Sequence, residues 1–144
     1  MNLSRRQFLV GTCACGVAAG LTGCMHYNSA RLVAATPAGG KITVKLADAP
    51  ELAKPGGAIK LKAPGDTILL WREGENTFHA TSIVCTHRGC EVEVAEEGKS
   101  LVCPCHGSLF EADGEVRRGP AVLPLKRYPV DLRGDELSVT LPVS

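Results

Sequence analysis

The sequence contains two short stretches, Cys85-Thr86-His87-Arg88-Gly89-Cys90 and Cys103-Pro104-Cys105-His106-Gly107-Ser108, that carry most of its chemical information. Together they hold four of the chain's seven cysteines and two of its four histidines. In each stretch a cysteine and a histidine can converge only if the backbone forms a tight loop, and Gly89 and Gly107 supply the conformational freedom for it. The clustering indicates a metal site, a disulfide, or both.

The donor set leaves three interpretations open. A [2Fe–2S] cluster with two cysteines on one iron and two histidines on the other requires these residues, with each loop giving one ligand to each iron. A closed tetrahedral zinc site could use the same donors. Zinc sites more often use C-x-x-C pairs, and zinc leaves Cys90, Cys105 and Ser108 without a role. Disulfides beside incidental histidines are the third interpretation, and we favour the iron–sulfur cluster.

The two stretches resemble the cluster-binding boxes of Rieske iron–sulfur proteins, in the disulfide-containing branch found in cytochrome bc complexes. Gly119-Pro120-Ala121 resembles the proline loop that covers the cluster in that family. The resemblance is close over about residues 80–125. It implies one [2Fe–2S] cluster with the ligands Cys85, His87, Cys103 and His106, a disulfide between Cys90 and Cys105, and a tuning role for Gly107, Ser108, Phe110 and Pro120.

Two of these positions bear on the reduction potential. Ser108 matches a family serine that donates a hydrogen bond to a cluster sulfide. Phe110 stands where high-potential members have a tyrosine that bonds a ligand thiolate. A hydrogen bond to a charged acceptor contributes roughly 1.5–3 kcal/mol, so its loss lowers a one-electron potential by about 60–130 mV. We predict a potential in the middle of the Rieske range of roughly −150 to +300 mV.

Phe110 is one departure from the family pattern. Arg88 is a second, because quinol-oxidising relatives commonly have a leucine there. A guanidinium fits poorly into an apolar docking crater unless it is paired. Arg88 therefore favours a partner with a polar or acidic docking face, although a solvated arginine without a role is an equal alternative.

The amino terminus predicts export. Ser4-Arg5-Arg6-Gln7-Phe8-Leu9 resembles the twin-arginine signal, which exports proteins already folded around cofactors. Leu21-Thr22-Gly23-Cys24 resembles a lipobox, so we predict lipidation of Cys24 and attachment to the outer face of the membrane, in the periplasm. An uncleaved signal anchor and simple cleavage are the alternatives. The apolar stretch Phe8–Gly23 is shorter than the ~20 residues that span a bilayer.

The remaining chain divides into a short tether and one domain. We predict that 1–23 is the signal, 24–40 a lipidated cysteine and linker, and 41–144 the Rieske domain. The 16 residues from 25 to 40 could extend to ~55 Å. The charge of the whole chain is close to balanced, with 16 basic and 15 acidic residues, which gives no indication of nucleic-acid binding.

The pattern from Lys41 onward predicts an all-β fold, because short apolar or alternating segments are separated by turn residues. Thr67–Trp71 is almost continuously apolar, which predicts a strand buried on both faces. His79 and the acidic residues of 91–97 are predicted to be strand-face and solvated residues. The resemblance implies a Rieske-type antiparallel β-sandwich with an inserted cluster-binding subdomain at about 83–122. The predicted strands are Ile42–Leu46, Ile59–Leu61, Thr67–Trp71, Thr77–Val84, Glu91–Val94, Leu101–Val102, Tyr128–Leu132 and Glu136–Leu141.

The predicted function is electron transfer, without catalysis by the chain alone. Two neutral histidine ligands raise the potential above that of all-thiolate clusters, and gain of an electron favours protonation of the exposed imidazoles. The expected partner is a cytochrome b/c complex, in which the chain passes electrons from quinol or a catalytic partner to a c-type cytochrome. A small subunit of a periplasmic, arsenite-oxidase-like oxidoreductase is the alternative. An oxygenase ferredoxin is disfavoured, because those proteins lack the spare cysteine pair and the export signal.

Overall fold

The structure is a computed structural model that describes residues 30–142. The predicted export signal and Cys24 lie outside the described residues. Between Ala30 and Pro142 there are twelve β-strands and two short 3-10 helices, and none of these helices is long or apolar enough to cross a membrane. In chain order the strands are β1 (Arg31–Val33), β2 (Lys41–Lys45), β3 (Ala58–Ala63), β4 (Asp66–Arg72), β5 (Phe78–Ser82), β6 (Glu93–Val94), β7 (Ser100–Val102), β8 (Leu109–Glu111), β9 (Val116–Arg118), β10 (Arg127–Tyr128), β11 (Val130–Arg133) and β12 (Glu136–Thr140), and the 3-10 helices are Leu46–Asp48 and Pro50–Ala53.

The described strands form three sheets. A five-stranded sheet has the order β1-β3-β4-β5-β10, a three-stranded sheet the order β11-β12-β2, and a four-stranded sheet the order β6-β7-β8-β9. We call the first two sheets the base, and the segment 83–122, which contains the third sheet, the cluster subdomain. Every strand pair is antiparallel except β1 with β3. The predicted all-β fold is confirmed.

Strand β4 contributes side chains to two different cores. Successive side chains of a strand point to opposite faces of the sheet, and each face of β4 packs against one core. Ile68 and Leu70 lie in a first core between the two base sheets. Leu69 and Trp71 lie in a second core on the opposite face. All four side chains are at most 1% exposed, which confirms the prediction of a strand buried on both faces.

The second core positions the two motifs found in the sequence. Cys85, Cys103 and Phe110 are buried in it together with Leu69 and Trp71 of the base. The motif loops are thus held from below by apolar side chains of a base strand.

Within the described residues, the first strand lies before the predicted domain boundary at Lys41. The sequence predicts a linker up to Gly40, whereas Arg31–Val33 form the edge strand β1, paired with β3. The Arg31 guanidinium bonds the Glu51 carboxylate at 2.5 Å, and Val33 packs against the first core. These contacts fix a segment whose composition alone resembles a linker.

Several elements have different bounds from the predicted ones. The segment predicted as Thr77–Val84 is a strand only to Ser82, and Val84 forms an isolated bridge with Glu91. The strands β8 and β9 were not predicted individually, because each has three residues and β9 carries two arginines. The 3-10 helices were also not predicted, since each is too short to show a helical period.

Candidate metal centre

The two motif loops are built alike. In the first loop, the Cys85 amide donates to the Cys90 carbonyl at 2.8 Å, and the Gly89 amide donates to the Cys85 carbonyl at 2.9 Å. In the second loop, Cys103 and Gly107 make the corresponding bonds at 2.8 and 2.9 Å, with the Ser108 carbonyl as the first acceptor. Both glycines have positive φ, +79° and +77°, where a Cβ would be strained. The sequence motif therefore folds into two copies of one turn.

The cysteines form the inner half of the site. Cys85 and Cys103 are free thiols, both buried, at 2% and 1% exposure. Burial raises the pKa of the Cys103 thiol, and the neighbouring Cys85 thiol raises it further. A bound cation reverses this effect, because a coordinating thiol is deprotonated. Two adjacent thiols without disulfide partners in the described chain are suited to hold a metal.

The histidines form the outer half of the site. The rings of His87 and His106 lie edge to face, with their centroids 4.8 Å apart. His106 is exposed and His87 is partly buried. Nδ1 of His87 is buried and has no hydrogen-bond partner among the described residues. An unpaired buried ring nitrogen is costly unless it has a ligand, so Nδ1 is the atom of His87 suited to bind a metal.

The four candidate ligands fall into two pairs rather than one tetrahedron. Ligands at 2.0–2.3 Å from one zinc ion would all lie within about 4 Å of one another. Within the described part of the chain, no three of Cys85, His87, Cys103 and His106 bring their ligand atoms within 4.8 Å. The buried thiol pair and the outer imidazole pair instead fit two irons, one with sulfur and one with nitrogen ligands.

The predicted disulfide is confirmed. Cys90 and Cys105 are bonded, with an S–S distance of 2.06 Å and Cα atoms 6.5 Å apart. The bond links the two motif loops at their surface. The Sγ atoms of Cys90, Cys105 and Cys103 all lie within 4.8 Å of one another, so the disulfide lies directly beside one candidate ligand.

A covering segment, residues 119–125, is attached to both loops. The Ala121 amide donates to Ser108 Oγ at 3.0 Å, and Thr86 Oγ1 donates to the Leu123 carbonyl at 2.6 Å. Ser108 is fully buried, and because its oxygen accepts from Ala121, its hydroxyl hydrogen is free to donate elsewhere. Thr86 was not among the site residues predicted from the sequence. Its position between a candidate thiolate and a candidate imidazole was the available signal.

The remaining predicted site residues are near the loops but differ in exposure. Phe110 is fully buried, and Pro120 is exposed in the covering segment. Arg88 is exposed and forms no ion pair or side-chain hydrogen bond with the described residues. The Gly107 carbonyl accepts from Arg118 at 3.3 Å. Arg118 was not identified from the sequence, because no motif marks an arginine that binds a backbone carbonyl.

The residues assigned no ligand role lie outside the site. His79 is on β5, and its Nε2 lies 2.7 Å from the Glu73 carboxylate. Of the acidic group, Glu91 pairs with Lys60 at 2.5 Å, and Glu97 accepts from the Ser100 hydroxyl. These contacts agree with strand-face and surface roles.

Comparison with known proteins identifies the family. The family model "Rieske [2Fe-2S] domain" matches residues 42–129. The cytochrome b6-f complex iron-sulfur subunit of Chlorobaculum tepidum is 34% identical over 101 residues, which cover 70% of this chain and 56% of that protein. The putative Rieske 2Fe-2S iron-sulfur protein YhfW of Bacillus subtilis is 44% identical over 61 residues, 42% of this chain and 12% of that protein. The matched region thus spans about half the length of these curated relatives, or less.

Two solved structures have the same fold. The plasma membrane Rieske protein PetC3 of Synechocystis PCC 6803 has 32% identity and a TM-score of 0.56, covering 67% of this chain and 94% of that chain. The ferredoxin of carbazole 1,9a-dioxygenase from Nocardioides aromaticivorans has 28% identity and a TM-score of 0.59, covering 69% and 98%.

The donor set agrees with these comparisons. The paired thiols, the paired imidazoles and the unpartnered Nδ1 of His87 fit one [2Fe–2S] cluster. The chain therefore belongs to the Rieske [2Fe-2S] domain family.

Proposed function

We propose that this chain is an exported, membrane-tethered electron-transfer subunit that passes electrons from quinol to a c-type cytochrome within a cytochrome complex. The observation that carries the proposal is the exposure of His106, whose ring lies at the protein surface while both candidate thiolates are buried. Relatives named as cytochrome b6-f complex iron-sulfur subunits support this kind of partner.

The two histidines can couple proton and electron transfer. When bound, the cluster supplies one-electron chemistry at a potential raised by the imidazole ligands. Nδ1 of His87 is buried. The exposed part of this partly buried side chain is therefore the rest of the ring, which includes Nε2. The outer nitrogen of His87 or His106 would lie at the surface, where it could accept a proton from a docked quinol.

The surroundings of the histidines favour a partner that is partly apolar. Val122 and Leu123 of the covering segment are 84% and 62% exposed. The hydrogen bond from Thr86 to the Leu123 carbonyl holds them beside the first loop. Exposed apolar side chains next to a redox centre are suited to a transient protein interface.

The partner can be identified by purification of the full-length chain from membranes. The proposal would be supported if a b-type cytochrome co-purified with this protein and quinol reduced that cytochrome. Recovery of a large periplasmic catalytic subunit without cytochrome b would contradict it. That result would support the second candidate, a small subunit of a periplasmic oxidoreductase.

The second candidate is favoured by Arg88, which lies exposed in the first loop without a described partner. If Arg88 pairs with an acidic docking face, Arg88→Leu slows electron transfer to the partner and weakens its salt dependence. Arg117→Leu is the matched control, because Arg117 is equally a surface arginine but lies 3.8 Å from Glu111. An unchanged salt dependence in Arg88→Leu would remove this argument. A soluble oxygenase ferredoxin is disfavoured by the Cys90–Cys105 disulfide.

Export and tethering are tested separately. Replacement of Arg5 and Arg6 by lysine is expected to retain the cluster-loaded protein in the cytoplasm. Cys24→Ser is expected to release it from the membrane, whereas Cys13→Ser, within the same segment, leaves it bound. Membrane binding by Cys24→Ser equal to that of the natural chain would contradict lipid anchoring and support an uncleaved signal anchor.

A further inference from the structure

Three sulfur atoms lie together where the two motif loops are joined. Cys103 Sγ is within 4.8 Å of the Sγ atoms of both Cys90 and Cys105. Cys90 and Cys105 form the disulfide, whereas Cys103 is a free thiol and a candidate ligand. The other candidate ligand differs: within the described chain, the Cys85 sulfur is not within that distance of both disulfide sulfurs.

A free thiol beside a disulfide is an arrangement for thiol–disulfide exchange, which needs only thiolate attack on one sulfur of the bond. We propose that Cys103 attacks the Cys90–Cys105 disulfide whenever the cluster is absent, and that ligation of Cys103 protects the native pairing. Cys105 is exposed and Cys90 partly so, so the leaving sulfur has access to solvent.

The step is balanced without an external oxidant. Cys103 Sγ loses its proton to water and forms a bond to Cys105 Sγ while the Cys90–Cys105 bond breaks. Cys90 leaves as a thiolate and takes up a proton from water. Attack on Cys90 Sγ is the equivalent step, with Cys105 as the leaving thiolate. In both cases one disulfide and one thiol are present before and after.

This exchange makes loss of the cluster hard to reverse. A Cys103 sulfur held in a new disulfide cannot act as a metal ligand, because only the thiolate binds. The loops also lose the native bond between them. Cluster insertion would therefore compete with this exchange, and a non-native disulfide would mark a molecule that has lost its cluster and not regained it.

The test compares Cys85→Ser with Cys103→Ser in full-length chains in which Cys13, Cys15 and Cys24 are serine. Both variants lack one ligand, and each retains the disulfide and a single free thiol. Only Cys85→Ser keeps the thiol beside the disulfide. Both are incubated anaerobically at mildly alkaline pH and quenched with acid and alkylating reagent. Mass spectrometry then maps the disulfides.

We expect non-native pairing of Cys103 with Cys90 or Cys105 to be severalfold more abundant in Cys85→Ser than non-native pairing of Cys85 in Cys103→Ser. The chain with all four ligands should show only Cys90–Cys105 while it holds the cluster, and Cys103 pairing after chelation of the iron. Parallel samples in denaturant, in which the disulfides of both variants rearrange freely, give the fraction of non-native pairing expected of an unfolded chain. Equal non-native pairing of the two variants in native buffer, whether absent or as high as in denaturant, would overturn the proposal.

Discussion

At the scale of single residues, Phe110 is the side chain with the clearest predicted effect on the cluster. It is fully buried in the same core as Cys85 and Cys103. In Phe110→Tyr, a hydroxyl that reaches a ligand thiolate should raise the midpoint potential by about 60–130 mV, the equivalent of a roughly 1.5–3 kcal/mol hydrogen bond. Voltammetry of the purified protein measures this shift.

Phe110→Leu is the control, since it changes packing without adding a donor. It should lower stability and leave the potential close to that of the natural chain. If Phe110→Tyr lowered stability with an unchanged potential, the new hydroxyl would be buried without a partner. The explanation of the potential through this position would then be wrong.

Tyr128 gives a prediction at alkaline pH. Its hydroxyl donates to Asp66 at 2.5 Å, and burial, with Asp66 adding to the effect, raises the pKa of the phenol well above its usual range. A raised folded-state pKa stabilises the protein fully below the unfolded value of about 10, and this stabilisation is lost as the pH rises above it. Tyr128→Phe should therefore melt lower than the natural chain at neutral pH, with a difference that shrinks above about pH 10. A constant difference in melting temperature across that range would contradict this.

The candidate ligands of the site could be predicted from the sequence, but the hydrogen bonds that join the motif loops to other segments could not. The motif spacing identifies Cys85, His87, Cys103 and His106, because each donor type recurs at loop spacing. Thr86 and Arg118 bond backbone carbonyls of other segments, Leu123 and Gly107. Such bonds depend on how distant loops pack, and any surface threonine or arginine has the same local pattern.

At the scale of elements, β4 separates the two cores residue by residue. Leu69 faces the cluster subdomain and Leu70 faces the base core, and both are at most 1% exposed. Leu69→Ala and Leu70→Ala should each lower the unfolding free energy by about 2–5 kcal/mol. Only Leu69→Ala should also alter the cluster, which visible absorption and electron paramagnetic resonance would show. An equal spectral change in Leu70→Ala would contradict the independence of the two cores.

The same strand shows what sequence pattern captures. A run of apolar residues from Ile68 to Trp71 predicts burial on both faces, and the structure confirms it. Strands β8 and β9 are held instead by pairing in the four-stranded sheet, so three residues suffice and no clear period develops. Strand β1 depends on its ladder with β3 and on the Arg31–Glu51 ion pair, neither of which a local pattern contains.

At the scale of the whole molecule, two glycines in contact join the base to the cluster subdomain. A Cβ on Gly98, in the turn between β6 and β7, would lie 3.0 Å from the Gly56 Cα in the base. Gly98→Ala should therefore lower the unfolding free energy by more than the roughly 1–2 kcal/mol cost of a positive φ alone. Gly134→Ala is the matched control, because Gly134 has a similar φ of +63° and nothing within 4 Å. Urea unfolding measures both, and equal losses would show that the contact can relax.

The attachment of β1 to the base limits how far the domain can work from its anchor. If Cys24 carries the lipid, as we propose, six residues, 25–30, separate it from β1, and six residues can extend no further than about 20 Å. A redox partner must then receive electrons close to the bilayer surface, or binding must first detach β1 from β3 and break the Arg31–Glu51 pair. Insertion of a few glycine and serine residues before Arg31 would increase the distance that the domain can reach from its membrane anchor, without changing the domain itself. A change in turnover of the insertion variant would show that this distance controls electron transfer to the partner.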